Sequence, residues 1–326
     1  MAKPTTVEAH LTSLIPPSRP QLRNSVLPTL LSSIHKIAHH LRTSPSVTQV
    51  GTANAFGDDQ LNVDVLAEEE IRRTIRKCPS IVTASSEEDP VEKDSRSENK
   101  DAGKEVYTLA FDPLDGSSII APNWSVGTII GVWDGDSALH QNPREGQIAA
   151  ILGVLGPRTT AFVAIRLPGT DGTCFEVGYA DDGSMQIVRS DVKLNTEKNV
   201  KTRYFAPANM RAAAEDERYL GLINRFVKEK YTLRYSGGLV PDVVHALVKG
   251  HGVYVSPVTE KSPPKLRRLY ELTPIALIVE CAGGMALDSA TGKRVLQTNI
   301  EDMDERGGLI CGNVEEVEAV RKALLG

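Results

Sequence analysis

The chain has 326 residues, of which 40% are hydrophobic and 24% charged, and its formal net charge is -5. This composition is ordinary for a soluble globular protein of two domains. The acidic balance gives no support to a nucleic-acid partner, and the purest apolar stretch, residues 275–279, is far too short to cross a bilayer. We therefore expect neither nucleic acid nor a membrane as a partner.

The cysteines favour a reducing compartment. None of the four lies in a CxxC pair or at a spacing typical of zinc, so buried thiols are the simplest account. The N-terminal stretch has no basic patch followed by an apolar run, so no signal peptide is visible. These features predict a cytoplasmic location.

In the first half, residues 1–20 are expected to form a loose arm because four prolines interrupt them. Apolar residues at helical spacing predict helices over residues 21–42, 61–76 and 146–156. The charged segment 89–105 is expected to be a surface loop, either a lid or a plain solvated connection. Strands are predicted over residues 106–111, 126–133, 160–166, 175–180 and 186–189.

In the second half, strands and helices alternate, which is typical of an α/β unit. Strands are predicted over residues 203–205, 232–235, 252–255 and 308–311. Helices are predicted over residues 216–228, 241–248, 266–282 and 313–324. The polar stretch 195–201 marks a boundary, so we expect one domain over residues 1–195 and a second over residues 196–326.

The most informative stretch is Asp-Pro-Leu-Asp-Gly-Ser-Ser at residues 112–118, directly after a predicted strand. Its turn can aim both carboxylates at one point and expose the Leu114 carbonyl. Gly116 permits a close backbone approach, and Ser117 and Ser118 would begin a helical turn whose N–H groups can hold a phosphate. Asp-Pro and Asp-Gly pairs are common in ordinary turns, but all seven residues in this order indicate a site for metal and phosphate.

Residues 111–118 resemble the signature of the fructose-1,6-bisphosphatase and sedoheptulose-1,7-bisphosphatase family, within the lithium-sensitive, metal-dependent phosphatases. Further stretches similar to the family, in the family's order, are residues 56–65, 86–89, 126–133 and 265–271. The resemblance implies an α/β fold with a layered α/β/α/β/α arrangement of two domains. The N-terminal domain would bind metal, the C-terminal domain would bind substrate, and the site would lie between them.

The resemblance also implies a magnesium-dependent phosphatase. Unassisted hydrolysis of a phosphate monoester is very slow, and two magnesium ions held by carboxylates can neutralise phosphate oxygens and activate a water. We expect two or more Mg²⁺ ions in the site, with Mn²⁺ able to substitute. The positions that match the family's metal ligands are Glu87, Glu88, Asp112, the Leu114 carbonyl, Asp115 and Glu271.

Catalysis is assigned by the same resemblance to Asp64 and Glu88, which would orient and deprotonate the attacking water, with Asp58 as an acidic partner. Taken singly, each of these carboxylates would read as ordinary surface charge. The order of the motifs is what favours a catalytic site.

Substrate binding is assigned to two groups of residues. Asp115, Gly116, Ser117 and Ser118 would form the phosphate cradle. The candidates for contact with the sugar and its distal phosphate are Asn209, Arg234, Tyr235 and Lys265, with Arg267 weaker and open to reading as a surface arginine. A bisphosphate needs a second cationic anchor, which Arg and Lys can supply. Arg234 matches an arginine that reaches into a neighbouring subunit's site, so a homodimer or homotetramer is expected.

The sequence favours a seven-carbon sugar bisphosphate. Residues 156–160 and 228–238 look more like the sedoheptulose enzymes than the fructose enzymes. Gly238 and Ser256 stand where fructose enzymes usually carry Ser and Tyr, so both differences remove bulk. We expect hydrolysis of the 1-phosphate of sedoheptulose-1,7-bisphosphate, and the alternative is a fructose-1,6-bisphosphatase or a dual-specificity enzyme.

The sequence leaves open two further alternatives to a sugar bisphosphatase. An inositol-type monophosphatase would keep the carboxylates but not the anchors at Arg234 and Lys265. A non-catalytic metabolite-binding relative would usually lose a metal ligand, whereas every expected position is filled here. Neither AMP inhibition nor thiol redox control is expected. Val106 and Tyr107 replace the Lys-Tyr pair of the AMP site, and residues 51–55 contain no cysteine.

Overall fold

Two large β-sheets organise the chain, one formed before residue 190 and the other after residue 203. The structure is a computed structural model that describes residues 5–53, 59–95, 104–196 and 200–326. None of the helices within these ranges is both long and apolar enough to cross a lipid bilayer.

The first part of the chain begins with helices. They are α1 (Val7–Leu14), a π-helical turn (Leu22–Val26), α2 (Leu27–Thr43) and α3 (Asn62–Ile75). A small antiparallel pair, β1 (Gln49–Ala53) and β2 (Asp59–Leu61), lies between α2 and α3. The prediction of helices over residues 21–42 and 61–76 is confirmed.

The first large sheet has eight strands. They are β3 (Ile81–Ser86), β4 (Lys93–Asp94), β5 (Tyr107–Asp115), β6 (Val126–Asp134), β7 (Gln147–Leu155), β8 (Thr159–Ile165), β9 (Thr173–Tyr179) and β10 (Met185–Arg189). Two short helices, α4 (Ser117–Ile120) and α5 (Pro143–Gly146), interrupt this series. The strand order in this sheet is β10-β9-β8-β7-β6-β5-β3-β4. Among the strand pairs described, only β3 and β5 run parallel.

The second large sheet has the order β12-β11-β13-β17-β15. Its strands are β11 (Tyr204–Pro207), β12 (Thr232–Leu233), β13 (Val253–Ser256), β15 (Met285–Leu287) and β17 (Leu309–Gly312). The helices of this part are α6 (Glu217–Lys228), α7 (Leu239–Lys249), α8 (Thr273–Cys281) and α9 (Val314–Leu325). A π-helical turn (Arg268–Leu272) precedes α8, and a small sheet pairs β14 (Leu266–Arg267) with β16 (Arg306–Gly307).

The helices and sheets stack in five layers. α2 and α3 cover one face of the first sheet, while α7 and α8 cover the other and also contact strands of the second sheet. α6 and α9 pack on the outer face of the second sheet. Each layer buries apolar side chains against the next, because a helix or sheet with one apolar face needs a partner. The predicted α/β/α/β/α arrangement is therefore confirmed.

Three predictions of local structure need correction. Residues 146–156 do not form a helix, since β7 runs from Gln147–Leu155. This run is almost entirely apolar and buried on both faces, so periodicity could not separate strand from helix. Residues 1–20 are not a loose arm throughout, because Thr6 accepts a hydrogen bond from the Ala9 N–H (3.2 Å) and caps α1. The helix predicted over residues 266–282 begins only after the short strand β14.

Candidate active site

A bulge at the end of β5 brings two carboxylates to one face of the first sheet. Asp112 pairs with Ile129, and Asp115 pairs with Gly127. An advance of three residues along β5 therefore matches an advance of two residues along β6, which leaves one extra residue on β5. Alternate residues of a strand face opposite sides, and the extra residue returns Asp115 to the face of Asp112. The Asp112 carboxylate accepts the Leu114 N–H at 2.9 Å, which stabilises the bulge from within.

The π-helical turn before α8 supplies a third carboxylate. Asp112, Asp115 and Glu271 are all buried, and each offers an oxygen within 4.8 Å of the others. The Glu271 carboxylate also accepts the backbone N–H of Arg267. Single turns of π-helix are frequent at functional sites because they redirect a side chain. The structure thus joins the strand motif to a residue far along the sequence.

Glu87 lies beside this cluster. It follows β3, and its N–H donates to the Phe111 carbonyl (3.0 Å), one residue before Asp112. Burial is the main cause that raises the pKa of Asp112 and of Glu271 well above the usual range, and the charge of Glu87 raises both further. Converging buried carboxylates repel one another unless protons or a cation neutralise them. This set of hard oxygen donors therefore fits a divalent cation such as Mg²⁺ or Mn²⁺.

Asp64 and Glu88 form a second acidic pair beside the cluster. Asp64 lies in the first turn of α3, where its Oδ2 accepts the Leu61 N–H at 3.0 Å. Its Oδ1 is buried and has no hydrogen-bond partner among the residues that the structure describes. Burial, then the charge of Glu88, raises the pKa of Asp64 to about 6. Asp58, the third predicted catalytic residue, lies outside the described ranges.

The C-terminal half is hydrogen-bonded directly to β5, the strand that carries Asp112 and Asp115. The Asp115 carboxylate accepts the N–H groups of Leu239 (3.1 Å) and Val240 (2.7 Å), at the start of α7. These two bonds lower the pKa of Asp115, but burial is the larger cause and raises it to about 6. A Cβ at Gly127 on β6 would lie 2.4 Å from the Val240 Cβ, so only glycine allows this approach. Asp115 therefore connects the first sheet to α7.

The loop before α7 is held by another carboxylate. Asp242 accepts the N–H groups of Ser236 (2.6 Å) and Gly237 (3.1 Å). Because Asp115 and Asp242 hold consecutive parts of this loop and helix, Tyr235 is placed near the carboxylate cluster. Burial raises the pKa of the Tyr254 hydroxyl, and the charges of Tyr235 and Asp115 raise it further, in agreement with this placement.

The predicted phosphate cradle has the expected local form. Gly116 has φ 97°, a left-handed conformation that favours glycine, and it precedes α4. Ser117 and Ser118 form the first turn of α4 and are exposed. The prediction that they begin a helical turn after the carboxylates is confirmed.

The predicted sugar-binding residues lie on several elements. Asn209 adopts a left-handed conformation (φ 52°) after β11. Burial raises the pKa of the Tyr235 hydroxyl, and the Asn209 backbone acts in the opposite direction. Lys265 is exposed and lies immediately before β14. Arg234 is also exposed, and its guanidinium lies 5.8 Å from the centre of the Tyr204 ring.

Arg267 is not a surface arginine. It is 1% exposed, pairs with Asp304 at 2.8 Å, and lies 3.6 Å from a Glu87 oxygen. The structure therefore places its charge against the carboxylate site rather than in an open sugar pocket.

Arg234 and Tyr235 line a cavity of about 1110 Å³ together with Arg42, Trp124 and His245. The Trp124 side chain is 55% exposed at this cavity. Tryptophan and arginine are both enriched at protein–protein interfaces.

Sequence reasoning missed several residues that support the site. Gln60 donates a hydrogen bond from Nε2 to a Glu88 oxygen at 2.5 Å. Glu68 and Arg72 lie one and two turns after Asp64 on α3. Their spacing from Asp64 was the available signal, because residues four apart share one face of a helix.

Two family models match this chain. The model described as fructose-1-6-bisphosphatase, N-terminal domain, matches residues 17–182, and the corresponding C-terminal domain model matches residues 198–325. Chloroplastic sedoheptulose-1,7-bisphosphatase from Spinacia oleracea is 38% identical over 277 residues, covering 84% of this chain and 67% of that protein. The enzyme of the same name from Chlamydomonas reinhardtii is 37% identical, covering 94% of this chain and 74% of that protein.

A class 1 fructose-1,6-bisphosphatase from Syntrophotalea carbinolica is 32% identical, covering 86% of this chain and 82% of that protein. Among solved structures, a protein from Toxoplasma gondii provisionally assigned as a sedoheptulose-1,7 bisphosphatase has a TM-score of 0.86. It is 33% identical, and the match covers 98% of both chains.

Proposed function

Because the chain belongs to the fructose-1,6-bisphosphatase family, we propose that it hydrolyses the 1-phosphate of sedoheptulose-1,7-bisphosphate. The products are sedoheptulose-7-phosphate and inorganic phosphate. The observation that carries the proposal is the buried cluster of Asp112, Asp115 and Glu271, joined through Asp115 to the start of α7, which directly follows the loop that bears Tyr235. This arrangement supports a phosphate site next to residues that can bind a sugar.

Magnesium is the proposed cofactor, with two or more ions in the site and Mn²⁺ able to replace them. Glu87, Glu88, Asp112, Asp115, Glu271 and the Leu114 carbonyl would hold the ions. When bound, such cations neutralise phosphate oxygens and lower the pKa of a water. The cluster suits this purpose because its carboxylates have raised pKa values without a cation.

The protein's own groups would handle the proton and the leaving sugar. Asp64 Oδ1, a buried acceptor, would take a proton from the attacking water, and Glu88 would orient that water. The water oxygen forms a bond to phosphorus while the bond from phosphorus to the sugar oxygen breaks, and the sugar oxygen takes up a proton from solvent so that the sugar leaves as an alcohol. The N–H groups at Ser117 and Ser118 would hold the phosphate. Asn209, Tyr235 and Lys265 would bind the sugar and its distal phosphate.

Ser256 supports the choice of a seven-carbon sugar. It shares a face of β13 with Tyr254, whose hydroxyl interacts with Tyr235 and Asp115. A small side chain on that face leaves room for a longer sugar. Gly238 is less informative, because its Cβ would already lie 3.1 Å from atoms of Ile119 and Pro241. A larger residue at position 238 would therefore meet packed protein first.

The test is magnesium-dependent phosphate release from the two bisphosphates in parallel, with the parent protein, Asp115→Asn and Ser256→Tyr. A kcat/KM ratio well above one for the seven-carbon sugar, lowered by Ser256→Tyr, supports the proposal. A ratio at or below one makes the protein a fructose or dual enzyme. Release that persists in Asp115→Asn at the parent rate would place the chemistry elsewhere.

We further propose a homodimer or homotetramer in which Arg234 contacts a neighbouring subunit. The exposed Trp124 and Arg234 around one large cavity support this proposal. Sedimentation analysis of the parent and of Arg234→Ala tests it, since loss of a subunit contact should shift the variant towards smaller species. A parent that sediments as a monomer at all concentrations would refute it.

We also propose a domain boundary near residue 195 and a cytoplasmic location. All four cysteines are buried and outside any disulfide, which is consistent with a reducing compartment.

A further inference from the structure

One face of α3 carries a charged row that leads away from the catalytic pair. Asp64, Glu68 and Arg72 follow one another at intervals of four residues, so they share a face. This face lies against β5, the strand that carries Asp112 and Asp115. The candidate base and Arg72 are therefore parts of one rigid helix.

Arg72 and Glu68 together hold the turn that bears Glu87 and Glu88. Arg72 Nε donates to Glu68 Oε1 at 2.8 Å, and the same oxygen accepts the Ser86 hydroxyl at 3.0 Å. The Ser86 hydroxyl in turn accepts the Asp89 N–H at 3.0 Å. The Ser86 N–H donates to the Asp89 carbonyl at 3.1 Å, which closes the turn around the two glutamates.

Arg72 also contacts β3, the strand before the turn, and β5, the strand paired with it. Its Nη1 donates to the Ala84 carbonyl on β3 at 3.3 Å, and Nη2 lies 3.6 Å from an Asp89 oxygen. The guanidinium carbon lies 5.3 Å from the centre of the Phe111 ring, next to Asp112. One planar cation thus contacts the strand before the turn, the turn itself and the neighbouring strand.

We infer that Arg72 is a positioning residue that aims Glu87 and Glu88 at the carboxylate cluster. It touches neither candidate substrate groups nor reacting atoms. It acts by fixing the turn against α3 and β5, and by balancing Glu68 and Asp89, two acidic groups near the site. This inference rests on the proposed metal site, and it adds residues that bind no ion themselves.

An arginine is required for geometric reasons. Its fork donates to several acceptors from one plane, whereas lysine is a single flexible point charge. Loss of the cation would leave Glu68 largely buried without its main partner. Residues that orient metal ligands typically change metal affinity by about 10- to 100-fold when removed.

The experiment compares Arg72→Met, Arg72→Lys and Arg73→Met in the full chain. Arg73 is the matched control because it is the next residue on α3, is 56% exposed and pairs with Glu70 instead. Mn²⁺ binding to metal-free protein, followed by electron paramagnetic resonance, gives the affinity without any turnover. Mg²⁺ titration of phosphate release and the KM for the sugar bisphosphate give the kinetic comparison.

We expect Arg72→Met to weaken Mn²⁺ binding by about 10-fold or more. Arg72→Lys should fall between it and the parent, and Arg73→Met should match the parent. The KM for the sugar should change less than the Mg²⁺ requirement, since Arg72 is remote from the sugar. Equal Mn²⁺ affinity for folded Arg72→Met and Arg73→Met would overturn the inference.

A second variant tests the inference in case Arg72→Met fails to fold. Ser86→Ala removes the hydroxyl link between Glu68 and Asp89 with a small change in volume, so it should weaken Mn²⁺ binding in the same direction. If Ser86→Ala binds Mn²⁺ as the parent does while Arg72→Met is unfolded, the inference fails. If the parent releases no phosphate from either sugar but the variants still weaken Mn²⁺ binding, the inference stands and the proposed function fails.

Discussion

Gly127 is a residue at which the two halves of the molecule approach each other closely beside the site. An alanine Cβ there would lie 2.4 Å from Val240 Cβ and 2.6 and 2.8 Å from its methyl carbons. Carbon atoms normally pack at about 3.5–4.0 Å. The start of α7 and β6 must therefore separate by roughly 1 Å to admit one methyl group in Gly127→Ala.

Two measurable effects follow from this displacement. Overpacking of this kind costs about 1–3 kcal/mol, which urea unfolding of the variant can measure. The same movement weakens the bond from the Val240 N–H to Asp115, now 2.7 Å, and shifts the loop that carries Tyr235. Because a misplacement of about 1 Å can cost about 100-fold in rate, we expect kcat/KM for the sugar bisphosphate to fall by about that factor.

Gly221→Ala is the control. Gly221 lies exposed in α6, and its added Cβ would meet nothing within 4 Å. Alanine in a helix interior is more favourable than glycine by about 0.5–1 kcal/mol, so this variant should gain stability and keep its activity. A Gly127→Ala protein with parental stability and kinetics would refute the view that this close approach positions the substrate loop.

Three further predictions concern Glu105, the raised pKa values of the site aspartates, and Lys265. Glu105 accepts two backbone N–H groups at residues 21 and 22 (2.9 and 3.1 Å) and the hydroxyl of residue 107, so Glu105→Ala should cost about 1–2 kcal/mol in urea unfolding and Glu105→Gln less. Burial raises the pKa of Asp64 and Asp115 to about 6, above an unfolded value of about 3.9, so the metal-free folded state binds more protons and loses stability as pH rises through this range. Mg²⁺ should therefore raise Tm more at pH 8 than at pH 5, and an equal increase at both would contradict the assignment. Lys265→Met should raise the KM for a sugar bisphosphate at least about 10-fold with little change in kcat, whereas Lys261→Met at an exposed position should have no effect.

The local structure of residues 112–118 was predictable because its signal is local. A buried strand, two aspartates, a glycine with positive φ and two serines occupy consecutive positions, and the structure shows this order as β5 and α4. α3 was predictable for a similar reason, since its buried residues recur at helical spacing. Local order therefore predicted the strand, the turn and the helices that carry these residues.

Local signals failed where a segment is apolar on all sides. β7 is buried on both faces between helical layers, so its residues show no alternation that would separate a strand from a helix. α1 was missed because prolines flank it on both sides, although its own residues carry a Thr6 cap and buried positions one turn apart.

The sequence by itself determined the alternation of strands and helices, the order of the motifs and the chemical nature of the donors, because these depend on residue type and short-range periodicity. Only the tertiary structure decided which groups converge. In the structure, Glu271 lies beside Asp112, and Asp115 is hydrogen-bonded to the start of α7. Arg267, which the sequence left open as a surface arginine, is buried and lies 3.6 Å from a Glu87 oxygen. Such contacts depend on how residues distant in sequence pack against one another. The spacing of residues along one chain does not determine those packing distances.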